Sequence, residues 1–284
     1  MTQSITPELR QWAQQQIAAG VSREALYQAM LSSGWRVEAA SQVLTQLEQP
    51  AAHWVAAPRT PTALPKEGVP EPDLSAGRSV LEIDGHSVKV LLALQHPRVV
   101  VFGGFMTDAE CDALAEAARG RLSRSETVAT ADEGSEVNAA RTSEGMFFER
   151  GETELCARIE QRIARLLRWP VTHGEGLQVL RYRRGAEYLP HYDYFDPKHA
   201  SSAAILKRGG QRVGTLVMYL NTPPVGGATV FPDIKLDVMA IKGNAVFFSY
   251  DRPDPGTLTL HGGAPVQEGE KWVATKWMRE GAFE

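Results

Sequence analysis

Cysteine is almost missing from this 284-residue chain, which holds only Cys111 and Cys156. Each falls in a stretch of helical periodicity, where a small buried side chain is the ordinary reading, so no disulfide framework is indicated. Positive charge is not in excess: 30 Lys and Arg face 34 Asp and Glu, a net charge of −4. Without a basic field there is nothing to hold nucleic acid phosphates, and a nucleic acid partner is excluded from the expectations. Long apolar runs are also lacking. None approaches the roughly 18 residues of a membrane span, and the N-terminal M-T-Q-S-I-T-P-E-L-R-Q-W has neither a basic n-region nor an apolar h-region. The expectation is a cytoplasmic protein with no membrane partner.

What is present divides into two bodies. Over residues 1–48 the periodicity predicts three short helices. Thr6 caps the first, with Leu9, Trp12, Ala13 and Ile17 on one face before Gly20. Ser22 opens the second, with Ala25, Leu26, Ala29 and Met30, and Gly34 stops it. The third runs from about Val37 to Leu47 with Ala40, Val43, Leu44 and Leu47 inward. Residues 49–75 read as a semi-stiff linker, six prolines falling between Pro50 and Pro72. From 76 to 284 strand-like alternation takes over, interrupted by helical patterns over Asp108–Arg119 and Thr153–Leu167. After Gly176, short β-rich segments are punctuated by Gly, Pro and Asp about every ten residues, as in a double-sheet jelly roll. The predicted class is α+β: a double-stranded β-helix core at about 177–280, buttressing helices, and the small N-terminal helical domain.

The chemistry concentrates in His191-Tyr192-Asp193, followed 70 residues later by His261 and 10 residues after that by Lys271. In an extended strand alternate side chains share a face, so His191 and Asp193 can reach one metal, and His261 makes a third ligand. Two imidazoles and a carboxylate leave open coordination positions, the arrangement of non-haem Fe(II) oxygenases, whereas a structural zinc site closes with four ligands, usually rich in Cys. The other histidines, His53, His86, His96, His173 and His199, have no ligand spacing.

Five blocks then follow in order: G-L-Q-V-L-R-Y-R-R-G-A-E-Y-L-P-H-Y-D-Y-F-D from 176, G-G-Q-R-V-G-T-L-V-M-Y-L from 209, G-G-A-T-V-F-P from 226, K-G-N-A-V-F-F-S-Y from 242, and H-G-G-A-P-V-Q-E-G-E-K-W-V-A-T-K-W from 261. With the upstream R-T-S-E-G-M-F-F-E-R-G-E from 141, the series resembles the catalytic domain of the prolyl 4-hydroxylases, the 2-oxoglutarate and Fe(II)-dependent dioxygenases. The resemblance implies Fe(II) held by His191, Asp193 and His261, with 2-oxoglutarate and O2 as cosubstrates and ascorbate as reductant. It puts Lys271 on the far carboxylate of 2-oxoglutarate, with Lys276 facing the other way, and Tyr182 and Thr229 donating hydroxyls to the same molecule. It places Tyr188, Arg212 and Trp277 around a substrate proline, while Arg279 departs from algal-type relatives, which carry His there. The implied reaction decarboxylates 2-oxoglutarate to succinate and hydroxylates C4 of a prolyl residue in a peptide or protein.

Three expectations stay less specific. The same chemistry on a free amino acid or other small molecule is one alternative. A binding scaffold or oxygen sensor, recruited through the N-terminal helices to a protein partner, is another; the G-W pair at 34–35 resembles a ubiquitin-associated-type module. The segments 125–145 and 196–212 read as loops able to close over substrate.

Overall fold

The computed structural model describes residues 13, 16–17, 21–33, 35–37, 40–41, 43–44, 68–124, 127–128, 135–136, 142–198 and 200–284. The chain divides into two units, Met1–Val55 and Ala56–Glu284. In the first, helix α1 (Arg23–Ser32) starts where Ser22 accepts a hydrogen bond from the Ala25 N–H. Its buried stripe is Leu26 and Met30, one turn apart, packed with Ala13, Ala40 and Val43. Ala25 and Ala29, read as part of that stripe, are exposed instead, and so is Ile17. On so short a helix the two long side chains take the inward face and the alanines are left outside. Gly20, Gly34 and much of the other two expected helices lie outside the described residues.

The second unit is built on strands. They are β1 (Val80–Ile83), β2 (His86–Leu94), β3 (Arg98–Gly103), β4 (Ser123–Arg124), β5 (Thr127–Val128), β6 (Ser135–Glu136), β7 (Glu144–Phe148), β8 (Leu177–Tyr182) and β9 (Tyr188–His191). They continue as β10 (Arg212–Tyr219), β11 (Val225–Gly226), β12 (Thr229–Phe231), β13 (Leu236–Val238), β14 (Ala245–Ser249), β15 (His261–Gly263), β16 (Val266–Glu268) and β17 (Lys271–Arg279). A nine-stranded antiparallel sheet runs β1-β2-β3-β14-β10-β17-β8-β7-β4, and a four-stranded one runs β13-β12-β15-β9. This β-rich core with few helices is the jelly-roll layout that the punctuation predicted.

Period-two alternation assigns each face of the large sheet. Phe102, Leu216, Met218, Phe247, Val179 and Ala274 pack under helices α2 (Asp108–Arg119) and α3 (Glu154–Leu167), with Cys111, Leu114, Cys156, Ile159 and Ile163. Both cysteines are buried and free. Val99, Val101, Leu180, Val217, Val246, Phe248 and Val273 point the other way, toward Phe231 and Val238 of the small sheet. Each such burial contributes roughly 1.5–3 kcal/mol. Both helices begin as their sequences dictate: Thr107 and Glu110 form a reciprocal capping box for α2, and Thr153 caps α3. A buried bidentate pair, Arg162 to Glu110 at 2.8 and 2.9 Å, ties the two helices together.

Two expected boundaries move. The linker was read to end at 75, yet Pro70 is buried and its ring lies where a side chain on Gly214 would stand. The Glu71 N–H donates to Leu167 O at 2.9 Å, and its carboxylate pairs with buried Arg98. A buried guanidinium demands an acid, and the linker's end supplies it. The 196–212 segment, read as a loop, carries helix α4 (Ala200–Leu206). Gln211 clasps it, accepting from the Phe195 N–H at 2.8 Å and donating to Phe195 O at 2.7 Å. Of 125–145, only the pairing of β5 with β6 and residues from 142 onward are described.

Candidate active site

The mouth between the two sheets collects the residues that carry chemistry. β9 and β15 are antiparallel neighbours with His191 directly opposite His261. The strand ends at His191, so Asp193 stands in a bend beyond it and not, as alternation suggested, within extended strand. The three side chains still converge: one ligand atom from each of His191, Asp193 and His261 lies within 4.8 Å of the others. Among the described residues this is the single such cluster.

The rings are oriented by backbone. His191 Nδ1 lies 2.9 Å from Leu189 O, and His261 Nδ1 lies 3.0 Å from Thr259 O. A carbonyl only accepts, so each Nδ1 carries the proton and each Nε2 keeps a bare lone pair, the tautomer a metal requires. Those Nε2 atoms face the Asp193 carboxylate, at 3.6 Å from Oδ1 for His191 and 3.4 Å from Oδ2 for His261. Burial pushes the His261 pKa down to about 4, with His191 adding to the effect, so this imidazole is neutral at physiological pH. Burial works against ionisation of Asp193, but His261, His191 and Arg212 outweigh it and hold the carboxyl well below its usual range. Thr215 donates to Asp193 Oδ2 at 2.7 Å, and the Tyr250 hydroxyl lies 2.9 Å from Thr215 Oγ1.

One cavity is lined by the triad and by Lys271 together. Lys271 pairs across the large sheet with Tyr182, and its ammonium lies 5.5 Å from the Tyr182 ring and 5.8 Å from the Tyr219 ring. It is 3% exposed, and burial pushes its pKa down to about 7. Thr229 also lines the cavity and accepts from the Tyr219 hydroxyl at 2.9 Å, which leaves its own proton to donate. Burial pushes the Tyr219 hydroxyl well above its usual pKa, so it remains a donor. Lys276 sits on the opposite face of β17, bonded to Glu160 of α3 and to the Glu175 carbonyl.

Tyr188 and Trp277 line the cavity mouth, with Tyr188 stacked on His191 at 3.7 Å between ring centroids. Arg212 does not line it. Its guanidinium grips Glu175 at 2.7 and 2.9 Å and lies flat against Trp277, 3.9 Å from the ring centroid. Arg279, 2% exposed, donates to the same Glu175 at 2.7 Å. A buried carboxylate shared by two arginines fixes both, and Arg212 thereby braces the Trp277 wall. Glu175, Thr215 and Tyr250 were not singled out in the sequence. Thr215 has cavity-facing parity in β10, but nothing local points from it to Asp193, 22 residues away.

A model described as the 2OG-Fe(II) oxygenase superfamily matches residues 177–279. Prolyl 4-hydroxylase 2 of Arabidopsis thaliana is 39% identical over 220 residues, covering 69% of this chain and 72% of that protein. The chain belongs to the prolyl 4-hydroxylase family. Probable prolyl 4-hydroxylase 4 of the same plant is 38% identical with the same coverage. Among solved structures, the viral collagen prolyl hydroxylase of Paramecium Bursaria Chlorella virus-1 in its 2OG complex shows 33% identity and a TM-score of 0.49, covering 64% of this chain and 95% of that one. As a member of the prolyl 4-hydroxylase family this protein is an oxidoreductase that uses Fe(II), 2-oxoglutarate and O2. Its donor set fits: two imidazoles with bare Nε2 atoms and one ionised carboxylate suit Fe(II), and three protein ligands leave room for substrate.

Proposed function

We propose that the protein hydroxylates prolyl residues at C4 in a peptide or protein, converting 2-oxoglutarate to succinate. The observation that carries this is one cavity with a His-Asp-His cluster at one end, a buried lysine at the other, and an aromatic wall at the mouth. Fe(II), held by His191, Asp193 and His261, supplies the activation of O2. Lys271 receives the far carboxylate of 2-oxoglutarate, and the Thr229 and Tyr182 hydroxyls add donors beside it. Tyr188 and Trp277 bind the flat pyrrolidine ring and exclude water. The buried Trp277 indole N–H meets no acceptor among the described residues and can donate to a substrate carbonyl. Phe147, 51% exposed and 6.4 Å from Trp277 between ring centroids, continues the apolar wall outward, which suits a chain-like substrate better than a free amino acid.

Ascorbate serves as the reductant that restores iron after turnover without substrate. The helical residues and the small core around Leu26 and Met30 support a ubiquitin-associated-type module at 1–48 that recruits a protein partner. No described helix is long and apolar enough to cross a membrane.

The test is to incubate the Fe(II)-loaded protein with 2-oxoglutarate and proline-rich peptides, following succinate and the gain of one oxygen by mass spectrometry. Hydroxylation mapped to C4 of proline establishes the reading. Succinate formation stimulated by a free amino acid but by no peptide would overturn it. A chain lacking residues 1–48 should lose turnover of a whole-protein substrate far more than of a short peptide.

A further inference from the structure

We propose that Tyr250 and Thr215 are positioning residues that together hold the Asp193 carboxylate in its orientation toward the metal. The inference rests on the metal reading above.

An ionised carboxylate only accepts hydrogen bonds, and a threonine hydroxyl has one proton. Thr215 spends that proton on Asp193 Oδ2 at 2.7 Å. The 2.9 Å contact between the two hydroxyls therefore runs from Tyr250 to Thr215 Oγ1. A donor arriving at Oγ1 polarises the Thr215 O–H and strengthens the bond it makes in turn. Oδ2 is thereby tethered from behind, and the carboxylate is held with Oδ2 3.4 Å from His261 Nε2 and Oδ1 3.6 Å from His191 Nε2.

Both hydroxyls are placed by the fold. Thr215 is 1% exposed in β10, directly opposite Trp277 of β17. Tyr250 is 3% exposed just past the end of β14, where its N–H donates to Val213 O at 3.1 Å. Its ring is braced by Tyr194 and Phe248, each 6.2 Å away between centroids. Neither side chain has freedom to turn, so a bend residue such as Asp193, lacking strand bonds to fix it, is held from behind by a two-hydroxyl relay.

The test measures Co(II) binding and its visible absorption under anaerobic conditions, alongside thermal stability without metal, for the full chain and its variants. Thr215→Val should weaken Co(II) binding about tenfold, the usual scale for groups behind a metal ligand, and alter the visible bands as the Asp193 carboxylate loses its fixed orientation. Tyr250→Phe should move both readouts the same way by less, and should add nothing in the Thr215→Val background. Thr215→Ser, which keeps the hydroxyl, should match the parent. Equal losses from Tyr250→Phe in both backgrounds, or parent-like binding and spectra in all variants, would overturn the relay whatever happens to stability. If the parent itself bound no Co(II) that His261→Ala abolished, the metal reading would fall and the relay with it.

Discussion

Replacing Lys271 by Met keeps most of its volume and removes its charge, which isolates what a buried ammonium does at the end of the cavity. Without 2-oxoglutarate the lysine is a cost. Burial lowers its pKa from 10.5 to about 7, and no carboxylate pairs with it among the described residues. A folded-state pKa below the unfolded value means that the unfolded chain binds the extra proton between about pH 7 and 10.5, so this group's contribution to stability improves as pH rises through that window. At neutral pH Lys271→Met should therefore raise the melting temperature, offsetting a penalty on the order of 4 kcal/mol at most. With 2-oxoglutarate the sign reverses. The bound carboxylate favours the charged lysine and raises its pKa, so binding takes up a proton and affinity is full below about pH 7, then weakens as pH rises above it. Leaving that carboxylate buried without its cation costs about 3–5 kcal/mol, which is roughly 10²- to 10³·⁵-fold in Kd. Calorimetry with Mn(II) in place of Fe(II), run from pH 6 to 9 in buffers of different ionisation enthalpy, reads the affinity, its pH slope and the proton uptake together. An unchanged affinity in Lys271→Met, or a parent protein with no proton uptake near pH 7, would refute the reasoning.

Three further outcomes follow from the same geometry. His191→Ala, Asp193→Ala and His261→Ala should each abolish stoichiometric metal binding and succinate formation, and Asp193→Glu should fail too, because an added methylene pushes the carboxylate off the Thr215 bond; metal titration and turnover check this. Glu175→Gln should cost about 3–5 kcal/mol in urea unfolding by stranding Arg212 and Arg279, and should raise the KM for peptide through a loosened Trp277 while metal affinity stays unchanged. A chain beginning at Leu74 should be less stable than one beginning at Gly68, by roughly 2 kcal/mol from the unpaired Arg98 alone, measured by thermal or urea unfolding.

Local signals were legible in the amino-acid order. Thr107 with Glu110 and Thr153 wrote the starts of α2 and α3, since capping bonds span only three residues. Period-two alternation put Lys271 and Lys276 on opposite faces of β17, because a strand has no other way to place residues five apart. His191, Asp193 and His261 could be named together because their types suit one metal and their order matched a family. Tertiary structure alone decided which charges find each other. Nothing local tied Arg212 to Glu175, 37 residues away, which accepts from its Nε and Nη2. Glu71 read as linker until it met Arg98, 27 residues on. Thr215 in β10 and Tyr250 just past β14 were unremarked residues until the packing of β10 against β14 set their hydroxyls behind Asp193. Backbone periodicity and capping are short-range and leave a mark in the neighbouring residues, whereas buried polar groups must be satisfied by whatever the fold brings alongside, and no local pattern records that partner.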